Sequence, residues 1–137
     1  MGTEPPPFVK FRSASVSTTP VDDRVPVYRL ALELSRQLFS VIELTEGVER
    51  IYLRDTLDKR STTIPLLIAR ALSTGDMPRR RGLFENARIY ATECEAILDV
   101  LGERGTLEAE VLASAITTTR ELRDRLGALT IPPPRQI

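Results

Sequence analysis

The clearest anion-binding candidates in the sequence are consecutive basic residues just after Pro78: Arg79, Arg80 and Arg81. They stand at the expected start of a helix, where the positive end of the helix dipole disfavours basic residues. The functional interpretation is a contact with nucleic-acid phosphates, which makes binding sensitive to salt. Further basic residues would join that contact: Lys59, Arg60, Arg70 and Arg88. The structural interpretation is a solvated cluster paired with Glu85 or Asp76.

Two carboxylates flank the single cysteine, Cys94. Glu93 and Glu95 are two residues apart and point about 200° away from each other on a helix, so they form no catalytic pair within it. A buried salt bridge between Glu93 and Arg60 would fix the register of two helices at a cost in desolvation; the alternative is a surface glutamate. Cys94 falls in an apolar stripe and is interpreted as a core residue, with a reactive thiol as the alternative.

The composition excludes several classes of function. The chain has no histidine, which removes serine–histidine, cysteine–histidine and zinc–histidine chemistry. We therefore expect no metal, no cofactor and no enzymatic activity. Nineteen basic and 19 acidic residues give zero net charge, unlike a dedicated nucleic-acid binder. One cysteine forms no internal disulfide, and no signal sequence or membrane-length apolar run occurs, so we expect a cytoplasmic protein.

The first half of the chain predicts a flexible tail and two helices. Residues 1–25 contain four prolines and few apolar groups; Phe8, Val9 and Phe11 either dock on a partner or are incidental. Apolar residues then recur at helical spacing from Pro26 to about Leu44, and again from Ile51 to Leu72. Pro65 either kinks the second helix or begins a new one capped by Thr62 or Thr63.

The second half predicts two further helices. The third begins near Pro78 and carries the strictest apolar repeat, and Gly102 and Gly105 are expected to break it. The fourth has Thr106 as its predicted N-cap and ends before the prolines of residues 132–134. Short connections predict an all-α, antiparallel up-down-up-down four-helix bundle over residues 26–131, with flexible ends at 1–25 and 132–137.

The second helix has more apolar residues than one bundle face needs. The surplus apolar residues lie close together in the sequence: Ile64, Leu66, Leu67 and Ile68. One interpretation is that they form a subunit interface. The other is that a kink at Pro65 rotates all of them into the interior of one chain.

Segments of the second and third helices resemble a known bacterial family. Residues 59–69 (KRSTTIPLLIA), 83–88 (LFENAR) and 93–101 (ECEAILDVL) resemble the four-helix-bundle family of the ribosomal RNA intervening-sequence proteins and the accessory variability determinants of diversity-generating retroelements. The resemblance covers roughly residues 27–129. It implies a homopentamer of kinked bundles, and some members bind nucleic acid and a reverse transcriptase.

Two functions follow from these observations. The first is a non-enzymatic, oligomeric scaffold or adaptor that binds a protein partner, which the balanced charge and the surplus apolar face favour. The second is a nucleic-acid-binding accessory protein that acts with a reverse transcriptase or on RNA through local arginine clusters. Only the second predicts a steep loss of RNA or DNA affinity as salt rises.

Overall fold

A computed structural model of the protein describes residues 24–45, 51–105 and 107–131. These residues form four helices, with no strand among them: α1 (Arg24–Leu44), α2 (Ile51–Ser73), α3 (Met77–Glu103) and α4 (Ala109–Thr130). The all-helical class and the four predicted helices are therefore confirmed. The predicted tails, apart from residues 24 and 25, lie outside the described residues, as does the segment from Phe8 to Phe11.

The first two helices follow the predicted apolar spacing closely. The α1 stripe is buried at Val27, Ala31, Leu34, Leu38, Val41 and Ile42. In α2 the buried residues include Leu57, Ile64, Ile68 and Ala71, whereas Ile51, in the first turn, is exposed. The α-helix runs without interruption across Pro65. A new helix beginning at Pro65 with Thr62 or Thr63 as its cap is therefore contradicted.

The start of α3 is fixed by a cap and a proline. The Asp76 side chain accepts a hydrogen bond from the backbone N–H of Arg79 at 3.4 Å, and Pro78 lies in the first turn, where its missing N–H has no partner to lose. Gly102 does not break α3, contrary to the prediction. A Cβ at Gly102 would lie 2.7 Å from the Leu112 side chain, so glycine there permits close packing against α4.

The turn into α4 uses a different cap from the predicted one. Gly105 has a positive φ of 64°, a conformation that glycine adopts without strain just past the end of a helix. The N-cap of α4 is Glu108, whose side chain makes no capping hydrogen bond. The assignment of Thr106 as the N-cap was therefore wrong, by two residues. Glu110 does lie in the first turn of α4, where a negative charge complements the helix dipole.

The helices pack around one core. Each contacts its neighbours in the chain and α1 also contacts α4, whereas the diagonal pairs make no comparable contact within the described ranges. Phe84 is the largest fully buried side chain and lies in the core with the stripes of all four helices. Buried α4 positions are Ala115, Thr118, Thr119, Leu122 and Leu126. Leu107, Val111 and Leu129 pack against this core and are only partly covered.

Candidate functional site

The predicted Arg60–Glu93 pair forms between α2 and α3. Arg60 Nε lies 2.6 Å from Glu93 Oε1, and the guanidinium stacks over the Tyr90 ring with 4.3 Å between Cζ and the ring centroid. The Nε–H does not point at the carboxylate, so the contact is ionic and not an aligned hydrogen bond. The two side chains are 33% and 43% exposed, so the pair is not the buried bridge that was predicted. The ion pair is therefore partly accessible to solvent.

The three consecutive arginines have separate roles. Arg80 donates from Nε to the Ala71 carbonyl at 3.0 Å and from Nη2 to the Thr74 carbonyl at 2.5 Å, which closes the α2–α3 turn. Those bonds satisfy carbonyl groups at and just beyond the end of α2 that have no partner within the helix. Arg79 is exposed and Arg81 is half-buried. One of the three consecutive arginines therefore stabilises the α2–α3 turn.

Of the other predicted phosphate contacts, only Arg70, in the last turn of α2, lies near this turn. Arg88 forms an ion pair with Glu85 one turn earlier in α3, and the hydrogen bond to Arg88 holds the pKa of the Glu85 carboxyl below its usual value. Lys59 and Arg70 are exposed on α2, about three turns apart. Arg60 contacts the α2 side of α3, whereas Arg88 lies near Gly127 of α4. The seven basic residues do not form one site.

The predicted subunit interface needs a correction. Ile64 and Ile68 are completely buried and Leu67 is nearly so, all within the core of one chain. These three residues are occupied by packing against the other helices and are not available to a neighbouring subunit. Leu66 alone is exposed, at 60%. The helix turns three of the four side chains inward because Ile64, Leu67 and Ile68 follow three- and four-residue spacing, and Leu66 falls between them.

Two exposed apolar residues on α1, a helix that contacts α2, were missed by the sequence analysis. Phe39 is 62% exposed and Leu32 is 46% exposed, and they lie seven residues apart on one side of the helix. Glu33 and Arg29 line a depression against α4, and helical spacing places Leu32 and Phe39 away from that side of α1. We call Leu32, Phe39 and Leu66 the α1–α2 apolar surface. Their seven-residue spacing outside the core stripe was the available signal.

A second set of contacts joins α3 to α4. Glu95 accepts a hydrogen bond from Arg120 Nε at 2.6 Å and another from Arg123. The Glu95 side chain is only 13% exposed, and it is the most covered acidic side chain in the ion pairs of the described residues. Hydrogen bonding to Glu95 raises the pKa of the Arg120 guanidinium. This arrangement fixes the register of α3 against α4 and leaves neither partner free for a ligand.

Nothing in the described part of the chain forms a site for catalysis on a metal. No group of three or more candidate ligand side chains comes together there. Cys94 is completely buried, and burial raises the pKa of its thiol to about 12, so the thiol stays protonated at neutral pH. The reactive-thiol alternative is therefore contradicted. Of the described helices, none has the length and apolar character needed to cross a bilayer.

The arrangement offers exposed apolar and charged surfaces for binding. A comparison of the chain with models of known protein families finds no match. A comparison with curated proteins finds no match either.

Proposed function

We propose that this protein is a non-enzymatic, oligomeric helical scaffold or adaptor of the cytoplasm that binds a protein partner. The observation that carries the proposal is the exposure of large apolar side chains on two helices that pack against each other, Leu32 and Phe39 on α1 and Leu66 on α2. Single exposed apolar residues are common, but several on neighbouring helices, an aromatic residue among them, are typical of protein interfaces. The lone cysteine of the sequence is in keeping with a reducing compartment.

The proposal includes an antiparallel up-down-up-down order of the helices. Support comes from contacts at matching levels: Arg80, early in α3, bonds to Ala71, late in α2. Along the α3–α4 pair, residue numbers run in opposite directions, because Glu95 pairs with Arg120 while Gly102 approaches Leu112. Such an order leaves α1 and α2 side by side, so that their outer faces can form one surface.

The proposal also includes a bend in α2 at Pro65. Proline supplies no N–H to the carbonyl of Ser61 and crowds it. Just before it, the hydroxyls of Ser61 and Thr62 both donate to the Asp58 carbonyl, at 3.0 and 2.9 Å, and such back-bonding bends helices. A crystal structure with α2 straight across these residues would contradict the bend.

The nucleic-acid alternative has less support from the geometry. It needs several arginines on one surface, whereas Arg80 bonds to backbone carbonyls, Arg88 to Glu85 and Arg60 to Glu93. Pairing within the chain lowers the number of phosphates that these side chains can neutralise. A protein partner can bind the α1–α2 apolar surface without any of these ion pairs breaking. We therefore favour a protein partner, and the pentamer implied by the family resemblance remains a prediction.

The decisive experiment changes the apolar surface without touching the core. In about 1 M salt, where the Debye length is about 3 Å and attraction between charged surfaces is screened, we expect the wild-type protein to have a light-scattering mass several times the 15.3 kDa of one chain, and the double variant Phe39→Glu/Leu66→Glu to approach that single-chain mass. The matched control is Ile89→Glu, since Ile89 is also exposed but lies on α3. A wild-type protein that is monomeric at micromolar concentration would disprove the oligomeric scaffold.

A further inference from the structure

The neutral net charge conceals a separation of charge along the bundle. We define a basic half as the described residues 26–34, 62–90 and 120–131, and an acidic half as residues 35–45, 51–61, 91–105 and 107–119. The basic half has nine arginines and five carboxylates, a net charge of +4. The acidic half has five basic residues and nine carboxylates, a net charge of −4. The two halves are therefore equal and opposite in charge.

Contacts between helices bring the segments of each half together. In the basic half, Arg80 of α3 donates a hydrogen bond to the Ala71 carbonyl of α2. Arg88 of α3 lies against α4, because a Cβ on Gly127 would be 3.7 Å from its side chain. Val27 of α1 lines a depression together with residues of α4. In the acidic half, Gly102 near the end of α3 packs against Leu112 near the start of α4. The charge separation is thus spatial and runs from one end of the bundle to the other.

The charges nearest the two ends are available to a partner. At the basic end, Arg70 and Arg79 are exposed and make no ion pair with any residue that the structure describes. The same holds at the acidic end for Glu43 and Glu103, which lie in the last turns of α1 and α3. By contrast, the charges of Arg88 and Glu95 are neutralised by ion pairs within the chain.

Each end also exposes apolar side chains beside its charges. The basic end has Met77 and Ile131, and the acidic end has Leu44, Ile51 and Tyr52, all among the exposed large apolar residues. Charge alone steers two surfaces together and sets their orientation, whereas burial of apolar area supplies lasting affinity. Both ends carry both components.

We propose that the basic end of one copy of this chain docks on the acidic end of a second copy. The charges of +4 and −4 make each end complementary to the opposite end and repulsive to its own kind, so the contact is head-to-tail. A head-to-tail contact leaves a free end of each sign and adds further copies until the assembly closes or extends. This goes beyond the scaffold proposed above because it uses the ends of the bundle and not its α1–α2 side.

Two charge variants separate the ends, although Arg70→Glu replaces the basic residue in the last turn of α2 and so loses its favourable interaction with the helix dipole. Arg70→Glu/Arg79→Glu lowers the charge of the basic half from +4 to zero, and a glutamate at position 79, three residues after the Asp76 cap, suits the start of a helix. Glu43→Lys/Glu103→Lys raises the acidic half from −4 to zero and places lysines in last turns, where they complement the dipole. All proteins in the test also carry the neutral changes Phe39→Gln/Leu66→Gln, so that the α1–α2 apolar surface does not contribute and the two halves keep their charges of +4 and −4.

The measurement is sedimentation velocity across protein and salt concentrations. We expect association of the parent at about 10 mM salt, where the Debye length is about 30 Å, and its loss at about 1 M, where it is about 3 Å. For each charge variant alone, the dissociation constant of self-association should be at least about tenfold higher than that of the parent. Their equimolar mixture should form a complex of two chains and nothing larger, because the mixture contains one intact pair of ends.

The control variant is Arg36→Glu/Lys59→Glu, which has the same net charge as Arg70→Glu/Arg79→Glu but leaves the basic end intact and should still associate. The inference would be overturned if the mass of the parent assembly did not change with salt concentration, or if the mixture of variants stayed monomeric. So would single-stranded RNA binding that needs Arg70 and Arg79 in a protein that never self-associates, since the basic end would then take a polyanion. The α1–α2 proposal is tested separately by Phe39 and Leu66 and can fail on its own.

Discussion

Replacement of Glu95 by alanine tests whether ion pairs between α3 and α4 stabilise the bundle. Glu95 receives Arg120 and Arg123 from α4, and its side chain is 13% exposed. Removal of the carboxylate leaves both guanidinium groups without that partner while the backbone of α3 is unchanged. Alanine has the highest helix propensity, so any loss of stability comes from the lost contacts.

The expected magnitude follows from the partial burial of the site. An exposed ion pair contributes about 0.2–1 kcal/mol, whereas the breaking of a fully buried pair costs about 3–5 kcal/mol. Glu95 is well covered, but its arginine partners reach solvent and can be hydrated once it is removed. We therefore expect the free energy of unfolding to fall by about 2 kcal/mol for Glu95→Ala, between those two limits.

Urea denaturation followed by circular dichroism provides the assay. With a slope of about 2 kcal/mol/M, the loss appears as a fall of about 1 M in the urea midpoint. The matched control is Glu33→Ala, which removes an exposed ion pair with Arg36 inside α1 and should leave the midpoint unchanged. Equal midpoints for wild type and Glu95→Ala would refute the reasoning that these contacts hold α3 against α4.

Three further predictions follow from burial and charge. Ile64→Ala should lower the free energy of unfolding by about 3 kcal/mol in urea denaturation, because Ile64 is completely buried; no change would place its side chain outside the core. Cys94 should react with a thiol reagent only after unfolding, because burial raises its thiol pKa to about 12; rapid labelling of the native protein would contradict this. The lowered pKa of Glu85 means that its pairing stabilises the fold above the unfolded pKa near 4.5 and is lost as pH falls through the folded pKa. Glu85→Gln should therefore lower the urea midpoint near pH 7 but not near about pH 3, and an equal effect at both would exclude the ion pair as its cause.

The sequence predicts the helices well because their apolar spacing is regular. The positions of α1 and α3 follow from the stripes that begin at Val27 and Leu83, and the start of α3 follows from Pro78, whereas the Asp76 cap was not predicted. Gly102 was misjudged because a helix tolerates glycine where a neighbouring helix fills the space, and that neighbour, Leu112, is visible only in three dimensions.

The site was harder to predict than the helices. Basic residues close in sequence were expected to act together, but Arg80 bonds to backbone carbonyls at a turn whose geometry spacing alone does not specify. The Arg60–Glu93 pair was anticipated in identity but not in exposure, because burial depends on how neighbouring helices cover the pair. Leu32 and Phe39 looked like ordinary residues between stripe positions, and their exposure on a helix that contacts α2 is visible only once the helices are packed.

The burial of Cys94 makes this protein convenient for spectroscopy. The chain has one cysteine and no tryptophan, so the folded molecule has no thiol open to labels and no indole fluorescence of its own. A tryptophan introduced at Phe39, or a cysteine at Leu66, would be the sole probe of its kind. Its emission or its attached dye would report directly whether a partner covers that position, without any need to remove native groups first.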